Sequence, residues 1–310
     1  MPKISIIIPC YNQGQYVDEA VDSVLNQTFQ DFEIIIINDG STDSFTNDKL
    51  YNYNKSKTTV IHTKNNGLAA TRNLGVSKST GGFIQFLDAD DILLPTKFQK
   101  QINVFENFED IDICYTNYRF YDIVKNEILP PHNMQFLGQD TISDFLFRWE
   151  RGLSIPIHTA LFKRDVCTKV PFNSELRAKE DWLFWCTLAL NESNFHFLNE
   201  ELAYYRFHSS NMCNNKSEMY YWLMISGLLI QDKLSYDLKN TFMRNTIEHL
   251  LNSIEKNVVM VNKSDVSKLN EKINLLNSEK SNILNSKEYK IGYCILKGYR
   301  KFKKFVNKIV

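Results

Sequence analysis

Apolar positions in the first hundred residues alternate between two periods. ISIII (4–8) is a β-branched run of the kind found in a strand buried on both faces, and Pro9 is expected to end it. Tyr16, Ala20, Val21, Val24 and Leu25 then recur at helical spacing. EIIIIND (33–39) predicts a second buried strand, and DGSTD (39–43) a turn with helix-capping residues, Asp43 as the cap. TTVIH (58–62) predicts a third strand, Gly67–Val76 a helix, and GFIQFL (82–87) a fourth strand. Strand alternating with helix predicts a mostly parallel α/β sheet. Ligands of such sheets bind beyond the carboxyl ends of the strands. Tyr11, Asn12, Asp39, Asp88 and Asp90 all fall there.

After residue 110 the pattern loosens. Residues 112–124 predict a long strand or hairpin, TALF (159–162) a strand, Lys179–Leu190 a helix, and 195–207 short strands. From about Glu218 the chain is expected to be helical. Val266, Leu269, Ile273, Leu276 and Ile283 approach heptad spacing, but Lys280 interrupts the seam. A helix packed on the body is expected there, and a coiled-coil homodimer stays open. The expected division is a first part at 1–110, a second at 111–215 and a helical extension at 216–310.

Composition changes the picture in one place. With 43% hydrophobic and 23% charged residues the chain can build an ordinary core. The net charge of zero hides a split, because residues 287–310 carry eight Lys/Arg and one Glu. Ile291, Ile295, Leu296, Tyr299, Phe302, Phe305, Val306 and Ile309 fall there at helical spacing, with Lys and Arg on the other face. Such a basic amphipathic helix suits an anionic membrane surface. A packed terminal helix is the plainer reading. The body shows no nucleic-acid motif, so nucleic acid is the least favoured partner. Six scattered cysteines without zinc-ligand spacing predict free thiols in a reducing compartment. The N-terminus reads as lacking a signal peptide, and the longest apolar stretch, 220–230, is too short to span a bilayer. Together these predict a cytoplasmic protein, peripheral on the inner face of the membrane.

The candidate chemistry begins with FLDADD (86–91), three carboxylates closing an apolar strand. Acids so crowded need a positive partner, and a divalent cation bound by oxygen ligands is one. A solvated turn, or a cap for the helix near Pro95, explains Asp91 well but Asp88 and Asp90 poorly. Glu180 and Asp181 open a later helix, where either could simply favour the helix dipole. Trp182 and Trp185 read as packing, or as a stacking surface for a sugar. His158 reads as structural or acceptor-facing.

Five stretches then carry a resemblance: SIIIPCYNQGQYVDEAVDSVLNQTF, FEIIIINDGSTD, NNGLAATRNLG, GFIQFLDADD and KEDWLFW. In that order and spacing, the chain from Lys3 to about Ser210 resembles the family 2 glycosyltransferases of the GT-A fold. The resemblance implies an inverting enzyme that uses a nucleotide-sugar donor, usually with Mn²⁺ or Mg²⁺. By position it implies that Pro9, Tyr11 and Asn12 form the nucleobase-cradling turn. It implies that Asp39 accepts a hydrogen bond from the base, typically uracil, and that Arg72 lies near base and phosphates. Asp88 would face ribose and metal-bound water, and Asp90 would bind the metal. His208 matches a late His that completes the metal shell or contacts the diphosphate in some members. Asp181 matches the catalytic base, and Glu180 and Trp182 stand beside it, towards the acceptor. That acceptor would be a glycan or a lipid-linked glycan, as in bacterial surface-polysaccharide assembly.

Two departures and two rivals stand beside this. Many members carry an acidic residue soon after the Tyr-Asn pair, where this chain has Gln13-Gly14-Gln15. Nothing between 115 and 175 names an acceptor. A catalytically silent sugar-nucleotide binder or membrane scaffold remains the main alternative. A nucleotidyltransferase is disfavoured, since CYNQGQY has one Gly and no basic residue for a phosphate loop.

Overall fold

Strand β1 (Ile4–Cys10) is buried along its whole length, which its β-branched sequence anticipates. Helix α1 (Val17–Leu25) returns the chain to β2 (Phe32–Asp39), and α2 (Ser44–Tyr51) leads to β3 (Thr58–Thr63). Helix α3 (Leu68–Lys78) then crosses back to β4 (Phe83–Phe86), on the opposite side of β1 from β2. All neighbours in the order β3-β2-β1-β4 are parallel. The chain therefore reverses its direction of winding between β1 and β4, and their carboxyl ends diverge into a crevice. The computed structural model of the protein describes residues 3–130, 140–209 and 211–259.

The sheet continues beyond β4 with a different logic. After a two-residue strand β5 (Ile92–Leu93) and helix α4 (Lys97–Asn107) come β6 (Ile113–Asp122) and its short hairpin partner β7 (Glu127–Ile128). Helix α5 (Thr141–Phe147) and a 3₁₀ turn (Ile157–Thr159) precede β8 (Ala160–Lys163), α6 (Arg164–Lys169) and α7 (Glu180–Leu190). Strand β9 (Phe195–Phe207) completes the order β3-β2-β1-β4-β8-β6-β9-β5. β8 runs antiparallel to both β4 and β6. β9 runs parallel to β6, with register shifts around Asn117, and its far end pairs antiparallel with β5. Helices α8 (Lys216–Lys233) and α9 (Tyr236–Val259) follow.

The expected α/β sheet is present, with adjustments. Pro9 lies inside β1 rather than ending it, because its missing N–H points to the side where β4 has already parted: that pairing stops at Ile7 and Phe86, with Leu87 N–H on the Ile7 carbonyl. Residues 195–207 form one long strand, since the register shifts absorb its bend. The first compact unit ends at Leu234, so α8, assigned to the extension from sequence, lies within it. The heptad-like stretch at 266–283 and the basic stretch at 287–310 lie outside the described residues. No helix among the described residues is long and apolar enough to cross a membrane.

Gly75 sets the distance between α3 and β1. A Cβ there would stand 2.3 Å from Ile7 Cγ2, and Ile7 is β-branched and fully buried. Gly75→Ala should therefore cost about 1–3 kcal/mol, as overpacking of a tight core does. Thermal unfolding should show it as a drop of about 2–4 °C per kcal/mol in a domain of this size; an unchanged Tm would mean that α3 can slide.

Candidate active site

The first wall of the crevice is the turn after β1. Asn12 sits at φ 53°, a left-handed conformation that Asn tolerates better than most residues. Its side-chain oxygen accepts from the Thr42 and Asp43 amides at 2.7 and 3.2 Å, and its own amide donates to Ser41 Oγ at 3.0 Å. Asn12 thus clasps the β1 turn to the DGSTD turn. Asp43 caps α2 as expected, accepting from Thr46 N–H at 2.7 Å.

Asp39, at the end of β2, is buried and accepts from the Asn66 and Gly67 amides at 2.9 and 3.0 Å. Gly40 permits this, because its φ is +65° and a Cβ would meet the Asn65 amide nitrogen at 2.5 Å. Each carboxylate oxygen keeps a second lone pair for a ligand donor. Tyr11 follows β1 and is 43% exposed, so its ring is free to lie against a flat ligand.

Arg72 projects from α3 and is 2% exposed. It reaches Asp88 Oδ1 at 2.7 Å and Glu180 Oε1 at 2.6 Å, joining the turn after β4 to the start of α7. Burial opposes its charge, but Asp88 and then Glu180 outweigh that and keep it protonated. Its Nε is buried without a partner among the described residues. Burial raises Glu180 to about 7, with Arg72 pulling the other way. Glu180 is 5% exposed and its carboxylate is engaged by Arg72. Trp182 is corrected: it is 3% exposed and donates its indole N–H to the Phe145 carbonyl at 2.8 Å, so it packs α7 on α5.

Asp181 stands between them in sequence and is only partly exposed. Lys179, in a left-handed conformation at φ 61°, turns the chain into α7 and pairs with Glu150. Desolvation raises the Asp181 carboxyl above its usual range, against the pull of Lys179 and Arg72. A carboxylate with a raised pKa beside the crevice suits a general base.

Asp90 and His208 meet. His208 Nε2 lies 3.0 Å from Asp90 Oδ2, and Gln13 Nε2 donates to the same oxygen at 3.0 Å. The Tyr16 ring stacks on His208 at 4.7 Å between centroids. Asp91 behaves differently from the cap or solvated turn expected of it. Its amide closes the turn onto the Asp88 carbonyl at 3.0 Å, but its buried side chain accepts from the Arg206 amide at 2.9 Å and from His158 Nδ1 at 2.8 Å. The cap position of α4 is Thr96. Burial raises Asp91 to about 6 even with His158 lowering it.

Arg206 went unrecognised in the sequence. It is 1% exposed, bonds the Asp90 carbonyl through Nε, and reaches Glu19 at 2.5 Å. The antiparallel register of Ile92 with Tyr204 brings it opposite Asp90. An Arg inside the otherwise aromatic strand AYYRF was its only sequence signal. The positive charge that the acidic turn requires is therefore supplied in part by Arg72 and Arg206, not by a cation alone.

The described residues contain no group of three His, Cys, Asp or Glu able to hold an ion unaided. Asp90 and His208 supply one hard oxygen and one imidazole, which fits a Mg²⁺ or Mn²⁺ whose shell substrate phosphates and water complete.

A sheet half parallel and half antiparallel, with an acidic turn at its switch point, defines the GT-A class of α/β folds. Solved structures agree: the chain superposes on Staphylococcus aureus TarS 1–349 with a TM-score of 0.58 at 18% identity, covering 85% of this chain and 76% of that one. The TarS 1–349 complex with UDP-GlcNAc gives the same score. The chain belongs to glycosyl transferase family 2, whose model matches residues 5–170. An uncharacterized glycosyltransferase of Methanocaldococcus jannaschii is 29% identical over 66% of this chain and 71% of its own. One of Nostoc sp. is 32% identical over 67% of this chain and 66% of its own. The chain spans only 37% of a Rickettsia bellii relative at 28% identity over 84% of this chain.

The raised Asp181 pKa has a sign that can be checked. The folded protein keeps this proton to higher pH than the unfolded chain, whose carboxyl titrates near 3.8. Stability from that proton is full below the unfolded value and is lost as pH rises through the folded one. Asp181→Asn removes the loss, so its Tm should exceed that of the parent protein at pH 7 by more than it does at pH 4. Calorimetry at the two pH values checks this; a lower Tm at pH 7 would contradict it.

Proposed function

We propose that the chain is an inverting glycosyltransferase that moves a hexosyl or N-acetylhexosaminyl group from a UDP-sugar to a hydroxyl of a glycan or lipid-linked glycan. The observation that carries this is that Arg72 joins Asp88 to Glu180, the neighbour of Asp181, while Asp90 meets His208, so that residues from both halves of the sheet meet around the turn after β4. The choice of UDP is supported by family membership and by the UDP and UDP-GlcNAc complexes of TarS.

In this reading Tyr11 lies against the base and Asp39 accepts from it, while Asn12 keeps both turns in place. Arg72 aims Asp88 at the ribose side of the donor and balances the charge of Glu180 next to the base. Asp90 and His208 would hold the divalent ion, which when bound neutralises charge on the departing diphosphate. Asp181 takes the proton from the acceptor hydroxyl as it attacks the anomeric carbon. The new glycosidic bond forms as the bond to the diphosphate breaks, and the proton stays on the Asp181 carboxyl. One displacement without an enzyme nucleophile inverts the anomeric centre; glycosidases invert by the same geometry.

UDP release from a panel of UDP-sugars with Mn²⁺ tests the reading, and no turnover or hydrolysis with any of them would count against it. Asp181→Asn should lower kcat by about 10²–10⁴-fold, the usual worth of a general base, without changing UDP affinity by calorimetry. Full activity in that variant would remove Asp181 as base.

The membrane location rests on residues 287–310 as sequence. Flotation with phosphatidylglycerol vesicles should recover the full chain, and replacing Lys301, Lys303 and Lys304 by Glu should abolish recovery; equal recovery would rule the basic face out.

A further inference from the structure

His158 and Asp91 are a buried imidazole and a buried acid that the proposed transfer leaves without a part. His158 is 1% exposed, on the 3₁₀ turn that leads into β8. Its Nδ1 donates to Asp91 Oδ2 at 2.8 Å, while its Nε2 is buried with no hydrogen-bond partner among the described residues. A ring kept only to fill space would be better as Phe or Leu, since an unpartnered buried nitrogen is costly. The Nδ1 contact is what the imidazole gains.

The turn that carries His158 is itself held from behind. Gln85, in the middle of β4, donates to the His158 carbonyl at 2.9 Å. Gln101 of α4 donates to the Thr159 carbonyl at 3.1 Å and to the Cys114 carbonyl at 2.6 Å. Lys97 Nζ ties the two glutamines together, reaching Gln85 Oε1 at 2.6 Å and Gln101 Oε1 at 2.7 Å. All three side chains are fully buried. A continuous polar strut thus runs from α4 through β4 and the 3₁₀ turn to Asp91. There it meets Arg206, whose amide holds the other oxygen of Asp91 and whose guanidinium holds the Asp90 carbonyl.

We propose that His158 is a positioning residue that fixes the Asp88–Asp91 turn through Asp91, with Lys97, Gln85 and Gln101 as its rear support. The link to catalysis rests on the function proposed above, since the braced turn is the one that aims Asp88 and Asp90. The bracing itself does not depend on that function. His158 acts through Asp91 and touches no substrate.

Hydrogen exchange read by mass spectrometry tests the brace on the full chain, and Mn²⁺-dependent UDP binding by calorimetry tests its consequence. His158→Leu should speed exchange in the peptide covering 87–92 about tenfold and leave β1 and β2 unchanged. Affinity for Mn²⁺ with UDP should fall about 10–100-fold, as it does when groups that orient metal ligands are removed. His158→Asn places an N–H close to the position of Nδ1 and should restore most of both. His158→Gln, which keeps polarity and volume but places its amide where Nε2 lies, should behave like His158→Leu and serves if that variant fails to fold. Unchanged exchange at 87–92 in the Leu and Gln variants would overturn the proposal, and so would an Asn variant as impaired as they are. If the parent chain binds no UDP while the exchange pattern holds, the brace stands and the transferase reading falls.

Discussion

Like charges crowd one edge of this sheet. Asp88, Asp90 and Asp91 follow one another within a single turn, and Glu180 faces that turn through Arg72. In water such a cluster would be merely awkward; at this degree of burial it would be prohibitive without cations placed among the acids. The fold supplies them from distant parts of the chain: Arg72 from α3, Arg206 from the end of β9, and His158 as a donor from the turn before β8. Removing one member of such a network leaves the others buried and unpaired, so these contacts are coupled rather than additive.

That network also welds the two halves of the sheet. The parallel half, β3-β2-β1-β4, brings Asp39 and the acidic turn to the carboxyl edge, where the winding reverses. The mixed half, β8-β6-β9-β5, brings Arg206 and His208 to the same edge from beyond β4, and α7 sets Glu180 against Arg72. Arg72 to Glu180 and Asp90 to His208 are the closures between them, spanning 108 and 118 residues of chain. A donor bound at the crevice would touch both halves, and this explains why a family 2 site needs more than the nucleotide-binding strands.

Much of this was legible in advance, for identifiable reasons. β1 and β2 could be read because continuous β-branched runs have few other uses, and Asp43 because a helix cap is a local contact. Motif order singled out Asp90, His208, Arg72 and Asp88 one by one, but the pairing of Arg72 with Asp88 was not legible. Pro9, Trp182, Glu180 and Asp91 were read less well, each because a partner remote in sequence decides its surroundings. Pro9 is tolerated where β4 has parted, Trp182 is enclosed by α5, Glu180 is claimed by Arg72, and Asp91 is claimed by His158 and Arg206.

The amino-acid pattern by itself determined the strand–helix alternation, the sheet edge that carries the chemistry, and the identity of most candidate ligands. Those depend on periodicity and on short-range preferences, which act between neighbours. Tertiary structure alone decided which acids are paired, which are buried, and which keep an oxygen free for a ligand. Charge pairing and desolvation are properties of space, and two of the contacts that settle them, Arg72 to Glu180 and Arg206 to Asp90, join residues 108 and 116 positions apart.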